Sequence, residues 1–512
     1  MKKKLLALTL SASMLMSMAA CGGESADDQT PTPKPTTSGT EATPEPTKEG
    51  DKTPDATPTE EAPTPTEEPK LDFGGRTVRI GSYYDMTPDP NKDTFNKAFS
   101  DRIKFVEDNY NCKIEFINVG DYMSSYVTSV LAGDPSCEMG YMLTYKMLPA
   151  LIEGGILQPI SDLKDSNGES VVDFDKPWYL KSAVEASTYK NKVYGMPLMG
   201  ADVQYGIFWN KTLFKQYNLP DLYELYENDQ WTWDKFKEIA LAGNVDLDGD
   251  GEYDIHGFNQ RENLIWSFMS SNGADAVKKT DAGVELALDS KEAQEALEAY
   301  ADFMQNVPHL SGWLGDWQSQ IWSFRDGQSM MCYEAWWISS GYLNPNADGE
   351  GGMQDEWGFV PFPKGPSATG YASYGKEASP WVMLNGIENP EQVAQIMDQI
   401  YRIFGDDEEA YTDAVEASFE ANARDPYAVE VCLELMPTVK ISPLMGFDAL
   451  NKLLNNEVFG SIEKGENTPQ SALEAYQSAL DSMMADIQNH DYNKDLMDTY
   501  VNPPEEEGEA TE

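Results

Sequence analysis

The sequence predicts an α/β protein, and three patterns in its first folded stretch carry that prediction. Residues 77–83 alternate apolar and polar side chains as a half-buried strand does, and residues 113–119 repeat the pattern. Between them, residues 93–109 place Phe99 and Val106 on one helical face. Because a strand, a helix and a second strand in this order form a right-handed βαβ unit, we expect mainly parallel sheets.

Three later helices are predicted from residues that cap helix N-termini. Thr232 precedes a helix that runs to about residue 241, and Asp289 precedes one that runs to about residue 305. Asn389 is followed by Pro390 at the first helical position and by Gln392 at the third, which is a capping arrangement. We therefore expect Asn389 to cap its helix.

The two ends of the chain are predicted to lie outside the fold. Residues 1–20 join three lysines to an apolar run that is too short to span a bilayer, and they close on small residues before Cys21. This is the pattern of a secretory signal peptide. Residues 21–70 are rich in Thr, Pro and Glu and lack side chains that could build a core, so we expect a disordered stalk. Residues 501–512 form an acidic tail.

The charge balance excludes several classes of function. The 512 residues include 87 acidic and 37 basic side chains, for a net charge of −50. Phosphate backbones repel such a chain, so we expect no nucleic-acid partner, and anionic solutes are disfavoured. Three histidines are too few for a polynuclear His-based metal site, and five cysteines do not form a full disulfide framework.

Six blocks of sequence, taken in order, resemble one family. They are residues 132–135 with 148–163, and residues 192–197, 208–214, 232–236, 327–330 and 357–365. Their order and spacing over about residues 71–488 are similar to those of bacterial extracellular solute-binding proteins of the sugar-binding class. Each block alone is a weak signal, but the six together are specific.

That resemblance implies the maltose-binding-protein-like fold, in which two α/β lobes enclose a ligand cleft and close by hinge motion. The predicted lobes are residues 71–200 with about 366–430, and residues 201–365 with about 431–500. We expect the chain to cross between the lobes near residues 198–203 and 360–366. Open α/β sheets bind ligands at such interfaces, which agrees with a cleft between the lobes.

The resemblance also implies a function. The protein would capture a carbohydrate, most simply an oligosaccharide, and lobe closure would deliver it to the permease subunits of an ABC importer without any chemistry. The residues before Cys21 resemble a lipobox, which implies cleavage there and a lipid anchor on the outer face of the bacterial cell membrane. We expect a monomer that requires no cofactor for this role.

Aromatic and carboxylate side chains are the candidates for sugar binding. An indole covers the flat C–H face of a pyranose, and carboxylates accept hydrogen bonds from its hydroxyls. By resemblance, Trp336 falls where the family stacks a sugar, with core packing as the alternative. The other candidates are Trp337, Trp266 and Asn263 near family contact segments, Asp202 beyond the first crossing, Tyr84 and Asp85 after the first strand, and Tyr145 and Tyr374.

Residues 246–254 match the first half of an EF-hand loop and predict a structural Ca²⁺ site. The candidate ligands are Asp246, Asp248, Asp250, Glu252 and Asp254. Gly257 replaces the bidentate Glu at position 12, so the shell needs an outside ligand. The alternative interpretation is an Asp/Gly-rich turn without metal.

Two other classes of function stay open at this point. A secreted glycoside hydrolase would need two carboxylates about 5–10 Å apart across the scissile bond, and no pattern marks such a pair. A ligand sensor would present a bound sugar to a membrane receptor without transport. No G-x-S-x-G, H-E-x-x-H or P-loop motif is present.

Overall fold

The computed structural model describes residues 71–92, 94–197, 203–260, 264–310, 318–345, 351–405 and 407–502. The chain divides into two units, and the described residues all belong to the second, residues 67–512. The predicted signal peptide, the predicted lipidation site Cys21 and the predicted stalk lie outside the described residues, as do the candidates Asp202 and Asn263 and nearly all of the predicted acidic tail.

The strands and helices alternate along the second unit. The strands are β1 Arg76–Ser82, β2 Cys112–Asn118, β3 Met139–Tyr141, β4 Thr188–Tyr189, β5 Lys192–Val193, β6 Gly195–Met196, β7 Tyr205–Asn210, β8 Asn259–Gln260, β9 Val277–Thr280, β10 Gly283–Leu286, β11 Met331–Ala335, β12 Trp357–Val360, β13 Tyr374–Gly375, β14 Trp381–Met383 and β15 Lys440–Ile441. The helices through residue 325 are α1 Thr94–Tyr110, α2 Tyr122–Leu131, α3 Thr144–Lys146, α4 Lys181–Ala186, α5 Lys211–Gln216, α6 Leu222–Glu227, α7 Trp233–Ala242, α8 Ile265–Ser271, α9 Lys291–Asn306 and α10 Ser319–Arg325. The later helices are α11 Pro390–Tyr401, α12 Glu408–Glu420, α13 Pro426–Leu435, α14 Asp448–Lys452, α15 Gly460–Glu463, α16 Pro469–Asn489 and α17 Tyr492–Leu496.

Two sheets define two lobes. The first lobe holds a five-stranded sheet in the order β2-β1-β3-β14-β6, and the second holds a four-stranded sheet in the order β12-β7-β11-β8. In the first lobe, Val78 and Ile80 of β1 are buried in one cluster with Phe99 and Val106 of α1, as the predicted βαβ unit requires. Strands β1 and β2 pair in parallel from Arg76 to Ser82.

The sheets are mixed, so the expectation of mainly parallel sheets holds only in part. Strand β1 is parallel to β2 and β3, but β14 is antiparallel to both of its neighbours. In the second sheet β7 is antiparallel to β11 and β12, and only β8 runs parallel to β11. The chain crosses back from the second lobe before β14 and enters the first lobe beside the C-terminal end of β3. Strand β14 must therefore run antiparallel to β3.

The capping predictions have mixed outcomes. Thr232 caps α7 by accepting a hydrogen bond from the Lys235 backbone, as predicted. The cap of α9 is Ser290 instead of Asp289, and it accepts from the Ala293 backbone. Asn389 makes no side-chain cap, because its left-handed backbone (φ 47°, ψ 60°) differs from the extended conformation that an N-cap adopts.

The return of the chain to the first lobe lies later than predicted. Residues 360–366 remain in the second lobe, where Phe362 packs on Phe268 and Tyr333 with ring centroids 5.1 and 5.8 Å apart. This apolar packing places the segment in the core of that lobe. The first predicted crossing, residues 198–203, lies almost wholly outside the described residues.

The observed return runs along the segment from Ser373 to Ser379. The Ser373 hydroxyl donates to the Tyr205 carbonyl at the start of β7 (2.8 Å), and the Ala378 backbone donates to Thr144 in the first lobe (3.0 Å). Within this segment β13 pairs in parallel with β15. We call the β13–β15 pair the hinge ladder. Helix α13, which precedes β15 in the chain, packs on β12 of the second lobe.

Within the described ranges, no helix is both long and apolar enough to cross a membrane. The four described cysteines are all buried: Cys112, Cys137, Cys332 and Cys432.

Candidate functional site

A cleft of about 540 Å³ opens where the two lobes meet the crossing segments. Leu180, Ser182, Ala183 and Pro197 line it from the first lobe, Ala335, Trp336 and Trp337 from the second, and Gln204, Tyr205, Lys376–Ser379, Val439 and Ile441 from the crossings. Both lobes and the crossing segments therefore contribute to its wall. We call this space the hinge cleft.

The two adjacent tryptophans at the end of β11 have different surroundings. Trp336 is 5% exposed and stacks on Phe208 at 6.0 Å, with Phe359 against its edge at 5.0 Å. Trp337 is 42% exposed and meets Tyr342 edge-to-face at 5.4 Å. Because stacking on a sugar needs an accessible ring face, Trp337 is the better placed of the two.

Five tyrosines gather at the ends of β1 and β3, and we call them the tyrosine patch. They are Tyr83, Tyr84, Tyr122, Tyr141 and Tyr145. Tyr83 stacks on Tyr122 at 5.5 Å, and both Tyr83 and Tyr84 meet the edge of Tyr141 at 5.8 and 5.7 Å. Tyr83 and Tyr84 are 50% and 42% exposed. The patch is thus an aromatic surface in which two accessible rings, those of Tyr83 and Tyr84, pack against neighbouring tyrosines.

The tyrosine patch adjoins the hinge cleft. The Tyr141 hydroxyl donates to the hydroxyl of Ser379, a residue of the cleft wall, at 3.3 Å. Burial raises the pKa of Tyr141 to about 12, and the charge of Glu377 in the cleft wall adds to the effect. Burial also raises the pKa of Tyr145, again with Glu377 adding to it. Both phenols therefore stay protonated at neutral pH; Tyr145 can donate to a sugar oxygen, whereas Tyr141 donates its proton to Ser379.

Asp85 directly follows Tyr84 of the tyrosine patch in sequence. Its carboxylate accepts a hydrogen bond from the Thr87 backbone at 2.9 Å, and that bond lowers its pKa. The side chain is therefore ionised and is held by its own loop, where it can accept hydroxyl groups.

Trp266 and Tyr374 do not join the hinge cleft. They line a separate cavity of about 330 Å³, which we call the hinge pocket, with Met269, Ser270, Gly273, Ala274, Asp275, Val277, Lys278, Ala287, Ser290, Glu292, Lys440 and Ser442. Trp266 is 6% exposed and packs edge-on against Phe459 at 5.3 Å. Tyr374 is 5% exposed and lies 5.6 Å from Tyr205. The predicted binding residues thus fall into two spaces.

The Asp-rich loop brings together three of its five predicted metal ligands. Carboxylate oxygens of Asp246, Asp248 and Asp254 lie within 4.8 Å of one another. Asp250 instead accepts a hydrogen bond from the Glu252 backbone at 2.8 Å. Three exposed carboxylates at this separation fit the oxygen ligand set that Ca²⁺ prefers.

Several site residues were missed by the sequence reasoning. Tyr83, Tyr122 and Tyr141 carry the patch, and their signal was the density of tyrosines after the first strand and at the start of α2. Glu377 had no local signal, because its position in the cleft wall depends on where the chain returns to the first lobe.

Comparison with known proteins agrees with the two-lobe fold. The family model for bacterial extracellular solute-binding proteins matches residues 89–399. A cyclo/maltodextrin-binding protein complexed with maltotetraose has a TM-score of 0.57 at 16% identity, covering 83% of this chain and 99% of that one. An ABC substrate-binding protein from Listeria monocytogenes in complex with cycloalternan has a TM-score of 0.54 at 16% identity, covering 80% and 99%.

A cyclic alpha-maltosyl-1,6-maltose binding protein from Arthrobacter globiformis gives a TM-score of 0.56 at 18% identity, covering 81% of this chain and 100% of that one. At these identities the likeness establishes the fold. A comparison with curated protein sequences gives no match.

Proposed function

The chain belongs to the family of bacterial extracellular solute-binding proteins, and from that premise we propose that it captures a neutral oligosaccharide in the hinge cleft and delivers it to an ABC importer. The observation that carries this proposal is the accessible ring of Trp337 in a cleft that adjoins the tyrosine patch. The structures named above were solved with maltotetraose and cycloalternan, which supports a glucan-like ligand.

The aromatic surfaces favour a ligand of several sugar units. Trp337 offers one ring in the second lobe, and Tyr83 and Tyr84 offer two in the first. A single pyranose cannot cover both surfaces, whereas a chain of pyranoses can lie along them. The net charge of −50 disfavours phosphorylated or acidic sugars.

We propose binding without catalysis. Glycoside hydrolysis uses two carboxylates on opposite sides of the scissile bond. Among the described residues that line the hinge cleft, Glu377 is the one carboxylate. This composition supports a binding protein over a hydrolase.

A thermal-shift screen against a panel of neutral glycans tests this function. Linear and cyclic gluco-oligosaccharides should raise the melting temperature of the wild type, and glucuronic acid or glucose phosphates should not. Product release from labelled oligosaccharide during long incubation would contradict the proposal, as would a panel in which no glycan binds.

We also propose that the protein is a monomeric lipoprotein held at the outer face of the membrane through Cys21. The support is the sequence alone: a signal-peptide pattern, small residues before the cysteine, and a stalk-like composition after it. Metabolic labelling with a palmitate analogue should mark the wild type and not Cys21→Ala. Equal labelling of both would contradict lipidation at this residue.

Finally, we propose a structural Ca²⁺ ion in the Asp246–Asp254 loop. The support is the approach of Asp246, Asp248 and Asp254, whose mutual repulsion a cation would relieve. Calorimetric titration of chelator-treated protein with Ca²⁺ tests this proposal, and the absence of both heat and a melting shift would contradict it.

A further inference from the structure

The hinge pocket is separated from the hinge cleft by one strand of the hinge ladder. Along this strand Val439 and Ile441 line the cleft, whereas Lys440 and Ser442 line the pocket. Successive side chains of a strand point to opposite faces, so the two spaces lie on opposite faces of the ladder. The pocket is therefore a distinct space that shares a wall with the cleft.

The lining of the hinge pocket combines aromatic rings with hydrogen-bonding groups. Trp266 and Tyr374 supply the rings, and Ser270, Ser290 and Ser442 supply hydroxyls. A mostly apolar wall with a few convergent polar groups is the usual composition of a small-molecule site. Its volume of about 330 Å³ admits one sugar ring and is too small for an oligosaccharide.

The Asp275 carboxylate is a partly buried hydrogen-bond acceptor in the wall of the pocket. Its Oδ1 accepts hydrogen bonds from the Ser442 hydroxyl at 2.8 Å and from the Val277 backbone at 3.3 Å. These bonds fix the carboxylate where it borders the pocket, at the base of the β9–β10 hairpin. A carboxylate held in this way can accept further hydrogen bonds from hydroxyl groups of a ligand.

The charges that line the pocket balance. Asp275 and Glu292 face Lys278 and Lys440, which leaves no net charge for an ionic ligand to neutralise. A neutral, hydroxylated molecule fits this lining better than a phosphate, a carboxylate or an amine.

We propose that the hinge pocket is a second binding site, which takes a single neutral pyranose or a polyol of the same size. The proposal goes beyond transport through the hinge cleft, because it concerns a different space with a smaller ligand. Since β15 forms part of both walls, a molecule in the pocket lies against the strand that also borders the cleft.

Two matched variants separate the two spaces. Ser270→Phe fills the hinge pocket from α8, and Ser182→Phe places the same side chain in the hinge cleft from α4. Saturation-transfer NMR is recorded with glucose, mannose and myo-inositol, and with glucose 6-phosphate as the charged control. At least one neutral compound should give signals with the wild type and with Ser182→Phe, which should disappear with Ser270→Phe.

Signals that survive in Ser270→Phe and disappear in Ser182→Phe would place the monosaccharide in the cleft and overturn the proposal. Signals from none of the three neutral compounds with the wild type would overturn it as well. If Ser270→Phe does not fold, wild-type crystals soaked in the same compounds decide the question by whether density lies beside Trp266 or beside Trp337. Oligosaccharide binding, measured separately, should be lost in Ser182→Phe alone, so failure of the second site is distinguishable from failure of the transport function.

Discussion

Trp336 and Trp337 are consecutive in sequence, but Trp336 stacks on Phe208 in the core of the second lobe while Trp337 opens onto the hinge cleft. The strand β11 ends at Ala335, so the two side chains leave the sheet in different directions. Trp336 therefore contributes mainly to stability and Trp337 can contact a ligand. Mutations can separate these roles.

Trp337→Ala should weaken oligosaccharide binding about tenfold or more, since one aromatic contact contributes roughly 0.5–1.5 kcal/mol beyond its buried area. The fold should lose little stability, because the ring is largely exposed. Isothermal titration with the best glycan of the panel measures the first effect, and urea denaturation measures the second.

Trp336→Ala is the matched control for Trp337→Ala, at the neighbouring residue. It should destabilise the fold by about 3–5 kcal/mol, the usual cost of removing a buried aromatic ring. Because Trp336 also contributes to the cleft wall, the molecules that remain folded should lose some affinity for sugar, but less than Trp337→Ala loses. A large loss of affinity in Trp336→Ala with unchanged stability would show that the assignment of the two residues must be exchanged.

The tyrosine patch should matter most for long ligands. Tyr83→Ala and Tyr84→Ala remove the two accessible rings of the patch, so they should lower the affinity for a hexasaccharide more than the affinity for a disaccharide. Phe105→Ala is the control, because Phe105 is also an exposed aromatic residue of the first lobe and packs against Arg102 on α1. Equal losses for both chain lengths would argue against an extended ligand path.

Local patterns in the sequence predicted the elements of this fold better than the contacts between them. The βαβ start and the Thr232 cap follow from residues that are close in sequence, and both were found. The direction of β14 was missed, because it depends on a crossing between lobes.

The same contrast between local pattern and long-range contact applies to the candidate site. The family resemblance selected Trp336 by its position after a Met-rich strand, but burial depends on Phe208 and Phe359, which come from other strands. Trp266 and Tyr374 were both selected as binding residues, and only the fold reveals that they share a second cavity. Residue type was thus predictable, and the space that a residue faces was not.

The metal proposal predicts that Ca²⁺ stabilises the protein. At a Ca²⁺ concentration about 100-fold above Kd, the gain is about 2–3 kcal/mol, which a melting experiment detects. Asp246→Asn and Asp254→Asn should abolish the shift. Asp250→Asn should retain more of it, since the Asp250 carboxylate is not one of the three that lie within 4.8 Å of one another. An identical shift with Mg²⁺ would indicate general charge screening instead of a site.

Asp275 should make stability depend on pH. Burial raises its pKa from 3.8 to about 6, so the folded protein binds the proton more tightly than the unfolded chain does. Stability should therefore fall as the pH rises from about 4 to about 6 and then stay level with respect to this group. Asp275→Asn should remove this slope and raise the stability at pH 7 by on the order of 2 kcal/mol. Urea denaturation as a function of pH measures both.

Ser442→Ala should change the pH dependence of stability in the opposite direction to Asp275→Asn. The Ser442 hydroxyl donates to the Asp275 carboxylate and lowers its pKa. Its removal should move the pKa further up and extend the fall in stability to higher pH. A pH profile that neither variant changes would mean that Asp275 is ionised in the folded protein as readily as in the unfolded chain.

Lys279 makes a contact between the two lobes. It should make the stability of the fold rise with pH, whereas Asp275 makes it fall. From β9 in the second lobe, its ammonium donates to the Glu185 carbonyl at 2.5 Å, at the C-terminal end of α4 in the first lobe. Burial lowers its pKa from 10.5 to about 8, although the charges of Glu185 and Asp275 oppose the shift. Between about pH 8 and 10.5 the unfolded chain therefore binds more protons than the folded one. The contribution of Lys279 to stability should rise with pH through this window.

Lys279→Met tests this relationship, because methionine keeps an apolar stem and removes the charge. Lys278→Met is the matched control, since Lys278 is the adjacent residue of the hairpin, is 61% exposed and pairs with Glu285 at 3.2 Å. Tyrosines also titrate in this range, so the informative quantity is the difference in unfolding free energy between the two variants. Lys278→Met keeps the rise that Lys279 causes, whereas Lys279→Met loses it. The difference should therefore grow from pH 8 to pH 10 in favour of Lys278→Met. A constant difference across that range would mean that the Lys279 ammonium is as well solvated in the folded protein as in the unfolded chain, and that the contact between the lobes does not bury it.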